Sequence, residues 1–277
     1  MQMLKQTEGK RRRLVGMLAA AIAVPALASP AAAQMREWDG RGFVHINGGL
    51  QLLATEFTDD VVFAESGGVY SARPVGLLSA AAAQEEARFS GAHTPASAPG
   101  FDAGAGYRVA GNFALGMAVS FDAAEGEAAV SARAPHPFFD GRDREFSGLA
   151  AGLHRQELGV HVQALYLVPV TESFTVALFG GPTLINLQQD LVADVQFRQE
   201  YPYETVSYDA AIAGGQSGTG IGFNAGADLA YYFSDVAGVG LLARYSRATV
   251  GLASATGGTV GVPAGGLQVG AGLRLKF

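Results

Sequence analysis

The sequence contains no cysteine and one tryptophan, and charged residues make up 16% of its 277 positions. Without cysteine, the chain has no disulfide framework and no thiol that could carry a lipid after an export signal. After residue 34 it also lacks a continuous apolar run of the ~20 residues that a membrane-spanning helix needs. If the protein enters a membrane, it must do so as a closed barrel of strands.

The first 33 residues have the pattern of a cleaved export signal. A basic segment over residues 10–13 precedes an apolar stretch over residues 14–28 and the small-residue cleavage pattern Ala31-Ala32-Ala33. We therefore predict a Sec-type signal peptide over residues 1–33, an N-terminal segment over residues 34–41 and one barrel domain over residues 42–277.

The charge of the exported part is strongly negative. The whole chain carries a formal net charge of −6, and its first 33 residues carry five basic side chains and one acidic side chain. The remainder therefore carries about −10. An acidic exported protein has no electrostatic attraction for phosphate backbones, so we expect no nucleic-acid partner. The 38 glycines with few charged residues favour a β-rich fold.

The last eleven residues alternate strictly between two kinds of side chain. A period of two predicts a strand with one apolar face and one polar face. The apolar positions are Leu267, Val269, Ala271, Leu273, Leu275 and Phe277, and the intervening positions are Gln268, Gly270, Gly272, Arg274 and Lys276.

Seven earlier segments alternate in the same way, over residues 43–52, 101–109, 113–122, 158–167, 174–181, 221–233 and 239–246. Three short turns alternate with four long loops, over residues 54–99, 123–156, 191–218 and 251–264, and the first loop holds a helix-prone patch at residues 77–88. This pattern predicts an all-β fold, an eight-stranded antiparallel up-and-down transmembrane β-barrel with short periplasmic turns and four long extracellular loops.

The positions of the aromatic residues indicate which face of the barrel points outward. Two aromatic bands separated by aliphatic residues are typical of girdles at two membrane interfaces, so we predict that the apolar face is outside. A secreted ligand-binding barrel would instead have to enclose both rings of bulky aromatics. The band near the short turns contains Tyr107, Phe113, Tyr166, Phe174, Tyr231, Phe233 and Phe277, and the band near the long loops contains Phe101, Phe121, Phe223 and Tyr245.

The polar face is then the lumen. A hairpin centred on Val236 would set Asp228 directly opposite Arg244, and we predict an ion pair between them because unpaired buried charges are costly. A packed polar plug is favoured over a gate or narrow conduit, because side chains fill the interior of eight-stranded barrels. The predicted lumen residues are His45, Asn47, Gln51, Asp102, Arg108, His161, Gln163, Asn224, Asp228, Arg244, Gln268, Arg274 and Lys276.

The signal, the eight alternating segments and the ending Gly272-Leu273-Arg274-Leu275-Lys276-Phe277 resemble the OmpA-like and OmpW-like porin-family barrels of the Gram-negative outer membrane. The resemblance implies a cell-envelope protein in the bacterial outer membrane, with outer-membrane lipid as its surroundings. It also implies that Leu273, Leu275 and Phe277 form an assembly signal for the barrel-assembly machinery. Neither the sequence nor the resemblance identifies a partner for the long loops.

No motif in the sequence indicates an enzyme. There is neither a Gly-x-Ser-x-Gly elbow nor a His-x-x-x-His pair. His93, His136 and His154 fall in predicted loops, and we expect no catalytic, cofactor or metal site. A structural role in the envelope is therefore the first hypothesis, a narrow porin or OmpW-like channel for small or hydrophobic solutes the second, and a lipid A-modifying enzyme the third.

Overall fold

The computed structural model describes residues 41–52, 55–64, 86–136, 138–139, 142–255 and 257–277, all within the unit Glu37–Phe277. The predicted signal peptide, the N-terminal segment up to residue 40 and most of the helix-prone patch lie outside these residues. The described part is built from strands. They are β1 (Gly42–Gln51), β2 (Phe57–Ala64), β3 (Glu86–Thr94), β4 (Ala98–Ala110), β5 (Phe113–Pro135), β6 (Asp143–Pro169), β7 (Phe174–Gln199), β8 (Val206–Tyr232), β9 (Ala237–Ala253) and β10 (Thr259–Lys276).

Eight of these strands close into a barrel. The sheet order is β2-β3-β5-β4-β1-β10-β9-β8-β7-β6, and β6 pairs again with β5, so β1 and β4 to β10 form a ring of antiparallel neighbours. This pairing confirms the predicted eight-stranded antiparallel barrel.

The strands β2 and β3 are additional to the predicted eight. Strand β5 pairs with β4 over its first half and with β3 over its second half, from Arg88↔Arg133 to Thr94↔Glu127. The predicted first long loop therefore contains a hairpin, and Glu86 to Arg88 of the helix-prone patch lie in β3. Local helix propensity is overridden there by pairing with β5, which is distant in sequence.

The second and third predicted long loops are largely strand. The β5–β6 hairpin is paired as far as Pro135↔Asp143, and the β7–β8 hairpin as far as Gln199↔Val206. Alternation does continue in these stretches, but through small residues such as Ala128, Val130 and Ala132, whose apolar signal is weak. The fourth loop is also shorter than predicted, because β9 extends to Ala253 and β10 begins at Thr259.

The outer surface changes character along the strands. Near the short turns, outward side chains are large, apolar and exposed, such as Phe113, Leu241 and Tyr231. Further along, the outward positions become polar, for example Glu125 and Arg247. The apolar band therefore covers the short-turn half of the barrel.

Beyond the apolar band, the wall divides into separate sheets. Pairing between β6 and β7 extends no further than Arg155↔Gln189, and pairing between β8 and β9 no further than Gly222↔Ala248. The sheet β2-β3-β5-β6 packs face to face with the β7–β8 hairpin, and we call this two-layer part the outer sandwich. Its core contains Val61, Phe89, Ala128, Val130, Ala132, Ala150, Leu153 and Val192, with Phe146, Val195 and Ala211 packed against them.

Close backbone packing between β1 and β10 predicts the effect of two alanine substitutions. A Cβ at Gly272 would lie 1.8 Å from the Ile46 carbonyl oxygen, whereas a Cβ at Gly48 would meet nothing within 4 Å. We expect Gly272→Ala to lower the free energy of unfolding by about 1–3 kcal/mol, as overpacking does. The matched variant Gly48→Ala should change it by less than about 0.5 kcal/mol. Urea unfolding in detergent micelles measures both, and equal effects would contradict this packing.

Candidate functional site in the barrel lumen

The lumen is filled in layers along the barrel axis. At the short-turn end, apolar side chains close it, and the Lys276 ammonium lies 4.7 Å from the centroid of the Tyr232 ring. This apolar layer contains Ala114, Leu165, Leu167, Ala177, Phe179, Ala230, Tyr232 and Leu242, with Phe43 packed against it.

A first ion pair lies above the apolar layer. The Arg274 guanidinium pairs with Asp228, and its Nε donates to Asp228 Oδ2 at 2.9 Å. Its Nη1 donates to Asn47 Oδ1 at 2.7 Å. Arg274 therefore connects β8 to β1 across the inside of the barrel.

A second ion pair lies at the centre of the lumen. Arg244, with 0% of its surface exposed, donates from Nη1 to Asp102 Oδ2 at 2.5 Å. The other carboxylate oxygen, Oδ1, accepts from Asn47 Nδ2 at 3.0 Å and lies 3.0 Å from His45 Nε2. Asn47 thus joins the two ion pairs.

The network continues on the far side of Arg244. Gln268 Oε1 lies 3.5 Å from Arg244 Nη1, and Gln268 Nε2 donates to Asp122 Oδ2 at 2.6 Å. A chain of polar contacts therefore crosses the lumen. We call it the lumen ladder, in the order Asp228, Arg274, Asn47, Asp102, Arg244, Gln268 and Asp122.

The predicted ion pair between Asp228 and Arg244 is wrong. Residue Gly226 lies opposite Arg244, and Asp228 lies opposite Leu242, so the hairpin is centred on Asp235 and not on Val236. The turn geometry explains the shift, because the Ser234 hydroxyl accepts a hydrogen bond from the Ala237 N–H at 2.9 Å. Both charges still face the lumen, but each pairs with another strand.

Two smaller polar groups lie beside the ladder, since Ser120 is paired with Asp102 and Asn224 with Ser246. His161 Nδ1 lies 2.6 Å from Thr183 Oγ1, and its Nε2 lies 3.0 Å from Ser120 Oγ. Gln163 Nε2 donates to Asn224 Oδ1 at 3.1 Å. The Ser120–His161 contact has the distance of a nucleophile and a base, but both side chains are buried.

A third ion pair, between Arg155 and Glu157 on β6, was not among the predicted lumen residues. Both are buried, and Arg155 Nε donates to Glu157 Oε1 at 2.9 Å. Arg155 was placed at the edge of a predicted loop. The sequence does contain a signal for this pair, the alternation of inward and outward positions. Every second residue from Arg155 faces inward, through Glu157 and Gly159 to His161.

This third pair bonds to backbone of β10 that has no neighbouring strand on the side away from β9. Within the described chain, β1 pairs with β10 only as far as Gln268, and β2 pairs with β3 alone. Arg155 Nη2 donates to the Pro263 carbonyl at 2.7 Å, and Glu157 Oε2 accepts from the Gly265 N–H at 2.7 Å. Side chains thus replace a strand along what we call the seam, between β2 and the first half of β10.

An apolar layer covers the ladder on the side away from the short turns. It contains Phe57, Ile185, Leu187, Leu191, Ala248, Val250, Leu252, Val262 and Ala264. The two cavities found beside the ladder measure about 30 Å³ and 20 Å³, enough for one or two water molecules.

Most of the predicted lumen residues face the interior. Arg108, His45, Asp228 and Lys276 are partly exposed, and the other nine are buried. The residues predicted for the aromatic bands and the assembly signal lie on the outer face. Within the described residues, no three histidine or acidic side chains are placed to hold a metal ion, and no helix there is long and apolar enough to cross a membrane.

His93, in β3, is buried although its position was predicted as loop. Its ring stacks on Phe57 with 4.5 Å between ring centroids, and neither ring nitrogen has a hydrogen-bond partner. Burial, with the nearby Arg155 charge, lowers the pKa of His93 from 6.5 to about 4. The imidazole is therefore neutral at pH 7.

No protein-family model matches the chain, and no curated protein matches it in sequence. Solved structures similar to it include the outer membrane protein OprG from Pseudomonas aeruginosa, with a TM-score of 0.42 and 10% identity over 86% of this chain and 96% of OprG. Ail, the attachment invasion locus protein of Yersinia pestis, gives a TM-score of 0.30 and 13% identity over 84% of this chain and 99% of Ail. Ail in complex with the heparin analogue sucrose octasulfate gives 0.31. The barrel assignment itself rests on the strand pairing.

The observed pairing of charges predicts the outcome of a double-mutant comparison. Asp228→Asn and Arg274→Gln should show a coupling energy of about 1–3 kcal/mol, because the two side chains are in direct contact. Asp228→Asn and Arg244→Gln are linked only through Arg274, Asn47 and Asp102, so their coupling energy should be smaller, below about 1 kcal/mol. Urea unfolding of the single and double variants measures both coupling energies. A larger coupling energy for Asp228 with Arg244 than for Asp228 with Arg274 would contradict the observed pairing and support the Asp228–Arg244 pair.

Burial of neutral His93 predicts a dependence of stability on pH. Because the unfolded chain binds the proton more tightly, the free energy of unfolding should fall by up to about 3 kcal/mol as the pH drops from 6.5 to 4. His93→Phe keeps the stacked ring and should lose this part of the dependence. Burial also raises the pKa of Asp59, in the same hairpin, so Asp59 contributes to the pH dependence of both proteins. The difference between the two pH profiles is therefore the contribution of His93. Equal pH profiles would show that His93 is not buried neutral.

Proposed function

We propose that the protein is a non-enzymatic outer-membrane barrel with a structural role in the cell envelope, a lumen closed by its own side chains, and an outer sandwich on the cell surface. The single observation that carries this proposal is the lumen ladder, packed between two apolar layers. The short turns would face the periplasm, and the outer sandwich would face outward.

The size of the apolar band supports a position in a bilayer. Outward apolar residues on β5 extend from Phe113 to Phe121, which is about 26 Å along a strand at ~3.3 Å per residue. With the usual tilt of about 40°, this corresponds to about 20 Å of height between the two Cα atoms, and the rings at both ends bring the span near the ~25 Å apolar band of such barrels. The two aromatic bands lie at its edges.

The lumen ladder supports a closed interior. Arg244 has no surface exposed to solvent, and its guanidinium lies 5.7 Å from the centroid of the Phe179 ring. Moving it would separate the Arg244–Asp102 pair inside a poorly solvated interior, which costs several kcal/mol. A resting path for hydrated ions would have to displace this side chain.

The same packing argues against an enzyme. Ser120 and His161 are 3% and 1% exposed, so a lipid or another substrate has no route to them without opening the barrel. Assembly through Leu273, Leu275 and Phe277 and export by a Sec-type signal belong to the proposal as expectations from the resemblance.

Electrical recording tests the closed lumen. Purified protein reconstituted in planar bilayers should give no reproducible channel events. The variant Asp102→Ala/Arg244→Ala removes the central pair together and should conduct, whereas Arg133→Ala, at an exposed ion pair with Glu145, should stay silent. Reproducible events from the unaltered protein would favour the pore, and a silent double variant that has folded would assign the closure to the apolar layers.

The seam favours a second candidate, a lateral path for small hydrophobic solutes. The Pro263 and Gly265 backbone groups bond to side chains of β6 and not to β2. The seam itself is crossed by side-chain contacts, such as that of Ser254 Oγ with Asp59 Oδ1 at 3.1 Å. Phe57, Val262 and Ala264 line its inner side with apolar surface. A solute could enter between β2 and β10 without passing the ladder.

A disulfide across the seam distinguishes this candidate. Asp59→Cys/Ser254→Cys should cross-link in the otherwise cysteine-free chain and hold the seam shut. If the seam is a path, oxidation should reduce uptake of a small aromatic probe into cells and reduction should restore it. Unchanged uptake in the cross-linked protein excludes the lateral path, and the structural role then stands alone.

A further inference from the structure

The ends of two long hairpins meet at the distal end of the outer sandwich. One is the β5–β6 connection, which includes Phe138 and Phe139, and the other is the β7–β8 connection, which includes Tyr201 and Tyr203. From Phe121, at the edge of the apolar band, to Pro135 the strand extends about 45 Å at ~3.3 Å per residue. We call these four aromatic residues the aromatic tip.

A buried arginine ties the two connections together. Arg144 donates from Nη1 to the Tyr203 carbonyl at 2.9 Å and from Nη2 to the Pro135 carbonyl at 2.7 Å. It also bonds to Gln199 Oε1 at 2.8 Å. One guanidinium thus holds three groups from both hairpins, so the aromatic tip is a single preorganised unit.

A second set of contacts orients the rings. Phe138 N–H donates to His136 Nδ1 at 3.1 Å, and the ring centroids of His136 and Phe139 are 4.8 Å apart. The rings of Phe138 and Tyr203 are 5.5 Å apart, and those of Tyr201 and Tyr203 are 6.0 Å apart. The rings support one another from the side and leave their outer surfaces bare.

The exposure of these rings is large for apolar side chains outside the barrel band. Phe138 is 67% exposed, Phe139 53% and Tyr201 85%. Because Tyr201 is 85% exposed, its side chain projects into solvent and does not line a pocket. A rigid cluster of exposed aromatic residues marks an interaction surface.

The charges around the rings narrow the choice of partner. Arg142 pairs with Glu204 at 2.6 Å, and Arg198 pairs with Asp209 at 2.7 Å. Residues 142–145 and 198–204 together carry four acidic residues and three arginines. The arginines are engaged, and the small acidic excess would repel an anionic surface.

We infer that the aromatic tip inserts into the interface of an apposed zwitterionic lipid bilayer, distinct from the membrane that holds the barrel. Phenylalanine contributes apolar area, and tyrosine suits headgroup depth because one end of its ring is apolar and the other polar. One aromatic tip, with three exposed rings, binds a bilayer weakly, but the tips of many barrels in one membrane would bind together. The inference rests on the proposed orientation, with the outer sandwich facing away from the barrel's own bilayer.

Capture of vesicles tests the inference. The full chain is reconstituted in immobilised proteoliposomes, and fluorescent phosphatidylcholine vesicles are passed over them. The unaltered protein should retain the vesicles, and Phe138→Ser/Phe139→Ser/Tyr201→Ser should retain at least tenfold fewer. The matched control Val62→Ser/Leu149→Ser/Ile212→Ser replaces three exposed apolar residues on the sides of the outer sandwich and should retain them like the unaltered protein.

Two further measurements distinguish a failure of the membrane-barrel proposal from a failure of the inference about the aromatic tip. A heat-dependent shift in gel mobility and co-migration with the reconstituted lipid report whether each variant is folded and embedded, and loss of these would contradict the proposed membrane barrel instead. Vesicles with added phosphatidylglycerol should be retained less at low salt, and added salt should restore their retention because it screens the repulsion. Retention that survives the triple tip variant, or that requires the anionic lipid, would overturn the inference.

Discussion

The structure depends on the pairing of charges that are enclosed in the lumen. Arg244 is fully buried, and its charge is compensated by Asp102, which Asn47 and His45 also contact. Leaving either charge unpaired in such a place is strongly destabilising. Strands that are far apart in the chain must therefore close in one register, with Asp102 on β4 and Arg244 on β9 brought together. The ladder helps to specify the barrel and fills its interior at the same time.

The same principle operates at the seam. Backbone groups of Pro263 and Gly265 have no neighbouring strand on the side of β10 away from β9. An unsatisfied buried backbone group costs about as much as a lost hydrogen bond. Arg155 and Glu157 extend from the opposite wall to bond them. Two distinct problems, filling the lumen and satisfying an open edge, are thus solved by buried ion pairs. The aromatic tip uses a buried arginine in a related way, to join two hairpins.

Much of the barrel could be predicted from the sequence, because a period of two sets the inward and outward faces directly. It placed Asn47, Asp102 and Arg244 inward and Phe113 and Tyr231 outward. The partners of the charges could not be predicted, since a turn centred one residue earlier moves Arg244 from Asp228 to Gly226. The long strands of the outer sandwich were missed for another reason. Their stability comes from packing between two sheets, which small alternating residues do not reveal.

The accessibility of a single lumen cysteine tests the closed interior most directly. Ser120→Cys introduces a nearly isosteric thiol into a cysteine-free chain, at a position that is 3% exposed. In the folded, reconstituted protein this thiol should resist a small charged thiol reagent from both sides of the membrane and should react fully after unfolding. Rapid modification of the folded protein would mean that water and ions reach the centre of the barrel, and the lumen would then be a conduit.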